Sequence, residues 1–141
     1  MALVSPMRGW ALCVGQPGVG NQAKAIFETS NGGRGWRLRA WASIFARGRG
    51  GLGTGGYPQG IAFGRAGRGL LWESRGALFL TKDGGRNWRV AGLTRYDVDF
   101  GQSASVAAND RYYVLLQTNG RFRLVTTHDS GAHWRTVHRW G

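Results

Sequence analysis

One eight-residue pattern occurs three times and fixes most of what this chain can become. Thr29-Ser30-Asn31-Gly32-Gly33-Arg34-Gly35-Trp36, Thr81-Lys82-Asp83-Gly84-Gly85-Arg86-Asn87-Trp88 and Thr127-His128-Asp129-Ser130-Gly131-Ala132-His133-Trp134 all read Thr-x-Asp/Asn-x-Gly-x-x-Trp. Counted from the Asp/Asn position, the copies stand 52 and 46 residues apart, the period of a repeat architecture. An Asp or Asn side chain accepts hydrogen bonds from backbone N–H groups two or three residues ahead and so holds a tight turn. The glycine of the pattern (Gly33, Gly85, Gly131) supplies a positive φ at little steric cost. Strand-like residues precede each copy, Ala25-Ile26-Phe27-Glu28, Ala77-Leu78-Phe79-Leu80 and Phe122-Arg123-Leu124-Val125. Each copy therefore reads as a hairpin turn whose Trp (Trp36, Trp88, Trp134) opens the returning strand and folds back over the turn.

This pattern resembles the Asp-box, or BNR, repeat of sialidase-type β-propellers and of propellers similar to the photosystem II stability/assembly factor. The second and third copies match in full. The first has Asn31 in place of Asp, which keeps the acceptor oxygen but removes the charge, so its turn is expected to be held less firmly. Gly9-Trp10-Ala11-Leu12 and Gly69-Leu70-Leu71-Trp72 stand before the boxes in the manner of the Gly-Trp-Ala strand of the assembly-factor propellers. The resemblance covers nearly the whole chain and implies an all-β fold, a β-propeller segment of three four-stranded antiparallel blades in an incomplete ring.

The chain divides accordingly into a first blade over about residues 1–40, a Gly/Arg-rich insertion over 41–56, a second blade over about 57–92 and a third over about 96–141. Within the first blade, strands are expected at 2–5, 10–14, 24–29 and 36–40, with Gly15 to Gln22 as a flexible hairpin loop. Its glycines do not form a phosphate-binding loop, since no Gly-Lys-Ser/Thr follows and no helix opens. The insertion, with Arg47 and Arg49 among glycines, has no apparent way to bury itself and reads as a mobile linker. Second-blade strands are expected at 60–63, 69–73, 77–81 and 88–91. Those of the third fall at 98–100 with 104–107, 112–116, 121–126 and 134–137, and Asn109-Asp110 and Asn119-Gly120 mark turns.

At 141 residues and 42% apolar content the chain is one domain with enough material for a core. Its 25 glycines without a collagen period suit many tight turns. The formal charge of +12 could attract nucleic acid, an anionic membrane surface or an acidic protein. The favoured account is compositional: an Arg-, Gly- and Ala-rich chain with only two lysines reflects a biased codon supply. Cys13 is the single cysteine, so no intramolecular disulfide forms, and as a strand residue it is expected to be a buried, inert thiol. No stretch approaches the ~20 apolar residues of a membrane helix. Residues 1–6 lack the charged start and apolar run of a signal peptide. The compartment stays open, an extracytoplasmic one included if the chain is a piece of a longer protein.

A propeller of this blade size closes with four to eight blades, so that no blade face is left bare. Three blades leave two apolar faces exposed. The favoured expectation is a piece of a longer propeller, since the chain begins almost inside its first strand. The alternative is self-association, two chains giving six blades.

Catalysis finds little support in the residues. A sialidase-like glycoside hydrolase would need an arginine cluster, a tyrosine nucleophile and acidic partners. Tyr112, Tyr113, Glu73, Asp97 and Asp99 are of the right types, but none lies in a matching catalytic segment and the family's Arg-Ile-Pro signature is absent. In sialidases the Asp-boxes lie away from the sugar. Asp97 and Asp99 share one face of a strand and read as a solvated strand entry in preference to a cation site. His128, His133 and His138 lack the close spacing of a zinc site. Neither a metal nor a cofactor is expected.

The resemblance to the photosystem II assembly-factor group implies a non-enzymatic scaffold that binds a protein partner on an arginine-bearing face. Arg65, Arg68 and Arg75, on turns of the second blade, are the first positions to inspect. The boxes themselves, Thr29, Asn31, Gly33 and Trp36 with their counterparts in the other two copies, are expected to be structural. Hydrolysis and electrostatic nucleic-acid binding are the alternatives, and the repeat carries no necessary link to photosynthesis.

Overall fold

A computed structural model describes residues 1–74, 77–93, 99–106, 111–118 and 120–141, with 99–106 and 118 described by backbone alone. These residues form three four-stranded antiparallel sheets with consecutive strands adjacent, and none of them is helical. The first sheet holds β1 (Ala2–Leu3), β2 (Gly9–Gly18), β3 (Asn21–Thr29) and β4 (Arg37–Ala42). The second holds β5 (Tyr57–Phe63), β6 (Gly69–Ser74), β7 (Leu78–Thr81) and β8 (Trp88–Val90), and the third β9 (Asp99–Val106), β10 (Tyr112–Thr118), β11 (Arg121–Thr127) and β12 (Arg135–Trp140). Each sheet is a propeller blade. The innermost strands β1, β5 and β9 follow one another in space, with β5 also packed on β2 and β3 and β9 on β6.

The two-residue period of each strand decides what lies between blades. In β3, Gln22, Lys24, Ile26 and Glu28 are buried while the residues between them are half-buried. Ile26 joins Trp10, Ala40, Ile61, Phe63, Leu71, Phe79 and Trp88 in one apolar cluster between the first and second blades. Leu70, Leu78, Leu80, Tyr112, Val114, Leu116 and Val125 form its counterpart between the second and third. The core is thus two interblade layers, and each blade is stable only against a neighbour.

Three expectations change. The stretch from Gly15 to Gln22 is mostly strand: β2 and β3 continue to a two-residue turn at Val19 and Gly20, with Gly18 paired to Asn21 and an irregularity between Val14 and Pro17. Both turn residues have positive φ, 30° and 80°, which is what a tight hairpin of this twist demands. The 41–56 segment is packed. Trp41 and Ala42 finish β4, and Arg49 exchanges two backbone hydrogen bonds with Trp41 at 3.0 and 2.8 Å. Further on, Gly50 accepts from the Trp88 N–H at 2.7 Å, Thr54 accepts from that of Gln22 at 2.8 Å, and Leu52 is buried in the first cluster. Leu52 provides the apolar anchor that the Arg-Gly composition hid, and the glycines let the backbone lie against the second blade. Cys13 is exposed, because Trp10 and Leu12 take the inward face of β2 and leave Ala11 and Cys13 on the other.

The first strand of the third blade is one continuous element over 99–106 where two segments were expected. Asp97, Val98, Ala107, Asn109, Asp110 and Asn119 lie outside the described residues. No described helix is long and apolar enough to cross a membrane.

Candidate functional site

Antiparallel pairing brings the β1–β2, β3–β4, β5–β6, β7–β8 and β11–β12 connections to one end of the molecule. All three repeated turns are there. In the second, Thr81 closes β7, its hydroxyl donates to Asp83 Oδ1 at 2.9 Å and accepts from the Gly85 N–H at 3.1 Å. Asp83 Oδ1 further accepts from the backbone N–H groups of Arg86 and Asn87 at 3.1 and 2.9 Å, and Oδ2 accepts from Asn87 Nδ2 at 2.7 Å. The bonds thus reach three and four residues ahead. Burial alone would raise the Asp83 carboxyl, but the bonds from Asn87, Thr81 and Arg86 outweigh it and hold the group below its ordinary pKa.

The third turn repeats this geometry. Thr127 donates to Asp129 at 2.7 Å and accepts from the Gly131 N–H at 3.0 Å, and Asp129 accepts from the His133 N–H at 3.0 Å. The His133 ring, 2.6 Å from Asp129 Oδ2, stands where Asn87 does in the second turn. The His133 backbone bond, then the Thr127 hydroxyl and the His133 ring, hold the Asp129 carboxyl well below the usual carboxylate range. In the first turn Asn31 Oδ1 takes the Thr29 hydroxyl at 3.0 Å and the Gly35 N–H at 2.9 Å, and Thr29 takes the Gly33 N–H at 3.0 Å. It has no equivalent of the Asn87 or His133 side-chain contact.

Gly33, Gly85 and Gly131 have φ of 86°, 84° and 86°. The residue before each is also left-handed, and in the third copy that residue is Ser130 at 62°, which the sequence pattern had not marked. The Trp indole covers the glycine in every copy: a Cβ there would lie 4.0, 3.6 and 3.6 Å from Cζ2 of Trp36, Trp88 and Trp134. Surroundings differ. Trp88 is buried, meets Phe63 edge-on at 5.8 Å and donates from Nε1 to the Gly85 carbonyl at 2.9 Å. Trp134 is half-buried against the second cluster, whereas Trp36 is 42% exposed. The reason is positional: each indole fills the space between its own blade and the preceding one, and among the described residues nothing precedes the first blade.

The turns are tied across blades by residues the sequence reading missed. Trp10, stacked on Phe63 at 4.1 Å, donates from Nε1 to the Gly84 carbonyl at 3.0 Å. Arg8 sits over the Trp10 ring at 4.7 Å, pairs with Glu28 at 2.9 Å and donates to the Arg65 carbonyl at 2.9 Å. Glu28 also accepts from Arg39 Nε at 2.6 Å. Arg68, half-buried, donates to Ser130 Oγ at 2.9 Å and so bridges the second blade to the third turn. Only register could have found these arginines. Arg8, Arg68 and Arg111 each precede the residue paired with the turn threonine, namely Gly9, Gly69 and Tyr112. Their distances in sequence to that threonine are unequal.

The turn end is basic: Arg34, Arg65, Lys82 and Arg86 are exposed there, while Arg8 and Arg68 are engaged between blades. Arg75 lies outside the described residues. Against these six cations stand Glu28, paired with Arg8 and Arg39, and the turn carboxylates Asp83 and Asp129, so among the described residues positive charge is in excess at this end.

Of the residues suited to hydrolysis, Tyr112 and Glu73 are separated. Tyr112 is fully buried between blades and donates its hydroxyl to the Thr81 carbonyl at 2.9 Å. Glu73 is buried at the opposite end in an ion pair with Lys24, which also donates to the Gly55 carbonyl at 3.1 Å. Burial pushes the Glu73 carboxyl above its ordinary pKa against the opposing pull of Lys24. No group of three or more His, Cys, Asp or Glu suited to a metal occurs among the described residues. A cleft of about 430 Å³ lies on the outward side of the third blade, lined by Arg111, Thr126, His128, His133, Trp134 and Arg135.

No family model and no curated protein matches the chain. Solved structures do. A YCF48 structure described as bound to D1 peptide superposes with a TM-score of 0.59 at 19% identity, over 96% of this chain and 38% of that one. YCF48 from Cyanidioschyzon merolae gives 0.49 at 14% identity, over 89% and 35%. The chain therefore spans well under half the length of these structures and shares the β-propeller fold with the first of them.

Proposed function

We infer that this chain is a non-catalytic propeller segment that acts as a scaffold for a protein partner, and that its three turns are Asp-boxes with a structural task. Thr29, Asn31, Gly33 and Trp36, Thr81, Asp83, Gly85 and Trp88, and Thr127, Asp129, Gly131 and Trp134 hold the end of each blade rigid. The observation that carries the reading is the gathering of exposed Arg65, Lys82 and Arg86 on that rigid end, where cations outnumber carboxylates among the described residues. Such a surface suits an acidic polypeptide segment. Support for a peptide ligand comes from the YCF48 propeller of this fold, which has a D1 peptide bound. Arg65 contacts the partner in this reading. Arg68 serves the interblade bond to Ser130, and Arg75 stays a candidate by sequence position.

The test is fluorescence anisotropy of a labelled Asp/Glu-rich peptide against its Asn/Gln counterpart. Binding of the acidic peptide alone is expected, weakened about threefold by Arg65→Ala, the loss of one exposed charge contact. Equal binding of both peptides, or of neither, overturns the reading. A single-stranded oligonucleotide bound more tightly, with a steep loss in salt, selects the nucleic-acid alternative. Turnover of a fluorogenic sialoside selects the hydrolase.

A further inference from the structure

The 41–56 segment packs along most of its length but carries one closed tip that does not. Trp41 and Arg49 exchange two backbone hydrogen bonds at 3.0 and 2.8 Å, and these pinch off residues 43–48. Beyond the pinch Gly50 bonds Trp88 and Leu52 is buried, so the crossing from the first blade to the second is secured without the tip. Inside it Ser43 Oγ accepts the Phe45 N–H at 3.1 Å and fixes the bend. Ile44 and Phe45 are 59% and 91% exposed there. A phenyl ring left almost wholly in water contributes nothing to the core.

The β2–β3 hairpin turns at the same end, because Lys24 pairs with both Val14 and Ala42. Its turn residue Val19 is fully exposed, with a φ of 30°. Such a turn favours Asn or Gly, and a β-branched residue is strained in it. Two turns at one end of the first blade thus hold apolar side chains in water.

Charge around the tip has one sign. Arg47 and Arg49 are exposed beside it, with the Arg49 guanidinium donating to the Leu38 carbonyl at 3.2 Å. From residue 1 to residue 72 the only acidic residue is Glu28, which pairs with Arg8 and Arg39 at the turn end. Glu73, at the end where the tip lies, is buried against Lys24. Blades added before the first or after the third would cover the outward sheet faces of those blades. The tip stands on neither face: it leaves the outermost strand of the first sheet, and the chain then runs on between β4 and β8, with Gly50 against Ala40 and the Arg86 carbonyl.

We propose that the tip anchors the molecule on the surface of an anionic lipid bilayer. Ile44 and Phe45, with Val19 of the neighbouring turn, enter the interface, and Arg47 and Arg49 meet the lipid phosphates. A projecting apolar tip flanked by cations matches a surface that is negative outside and apolar just beneath. Nucleic acid would match the arginines but leave Ile44 and Val19 in water. The partner reading above uses the opposite end of the blades, and this inference does not rest on it.

Flotation of the chain of residues 1–141 with vesicles tests it, using phosphatidylcholine alone and an equal mixture with phosphatidylglycerol. Binding to the mixture only is expected. Ile44→Ser/Phe45→Ser changes two exposed side chains, so urea unfolding should match the parent, while vesicle binding should weaken about tenfold through lost apolar burial. Arg47→Ala should weaken it about fivefold. Arg34→Ala removes the same charge at the turn end, beyond the Debye length of about 8 Å at physiological salt, and should change it little. No binding to the mixture, or equal binding to both vesicles, overturns the proposal. So does binding that survives Ile44→Ser/Phe45→Ser, or that Arg34→Ala weakens as much as Arg47→Ala, because the bilayer then senses only net charge. Loss of acidic-peptide binding in the double variant with vesicle binding kept makes the tip a protein contact instead, and overturns it too.

Discussion

Trp10 of the first blade and Tyr112 of the third both donate to the turn of the second blade, Nε1 to the Gly84 carbonyl at 3.0 Å and the hydroxyl to the Thr81 carbonyl at 2.9 Å. A turn that would be surface in an isolated hairpin is thereby bonded from both sides by fully buried aromatic side chains. The aromatic bodies supply burial and their polar tips supply geometry, because an N–H or O–H taken from water must be answered inside. The second blade is the keystone of the three for this reason, and its turn is the least replaceable of the set.

Asp83→Ala removes an acceptor that takes the Thr81 hydroxyl, two backbone N–H groups and the Asn87 amide. A stability loss of about 1 to 2 kcal/mol is expected from a partly exposed site with this many bonds. Asn31→Ala, which frees one backbone N–H and the Thr29 hydroxyl, should cost less. Urea unfolding of the two variants in parallel checks the order. Equal losses would mean that the charge and extra bonds of Asp83 contribute nothing.

Much of this architecture is legible in the sequence because the turn needs particular atoms at fixed separations. Thr81, Asp83 and Gly85 must stand two apart for the hydroxyl to reach both neighbours, so the pattern survives as a motif. The same holds for the strands, whose alternation is local. What could not be read depends on distance across blades. Lys24 and Glu73 look like ordinary surface charges until β3 and β6 are brought together, and Leu52 is an isolated apolar residue in an Arg-Gly tract until it meets the first cluster. Trp36 shows the converse: its motif predicts a packed indole, and only the placement of the blades shows that its side of the first blade is bare.

Lys24 and Glu73 form an ion pair with almost no solvent access, so breaking it should be far costlier than removing it whole. Glu73→Leu alone leaves a buried ammonium and should destabilise by about 3 to 5 kcal/mol. The double variant Lys24→Met/Glu73→Leu removes both charges and should recover most of that loss, since the desolvation of two ions disappears together. A double variant as unstable as the single one would show that the pair contributes more than its desolvation costs. Thermal unfolding of the single and double variants distinguishes the two cases.

Acid stability follows from carboxylates shifted in opposite directions. Asp129 and Asp83 are held below the ordinary value of 3.8 in the folded chain, so the unfolded chain binds more protons as the pH drops toward and below that value. Their contribution is complete above 3.8 and is lost as the pH falls through the folded values. Glu73 works the other way. Burial raises it above 4.5, so its contribution is complete below 4.5 and declines as the pH rises through the folded value. Unfolding free energy measured by urea across this range should therefore climb on the acid side, level off between 3.8 and 4.5 and decline above 4.5 until Glu73 ionises in the folded chain. Asp129→Asn should reduce the acid slope, because an amide cannot titrate though it still accepts the Thr127 and His133 bonds. Glu73→Gln should lower stability throughout and remove the decline above 4.5. An Asp129→Asn chain with the acid slope of the parent would show that the bonds to Asp129 do not discriminate between its charged and neutral forms.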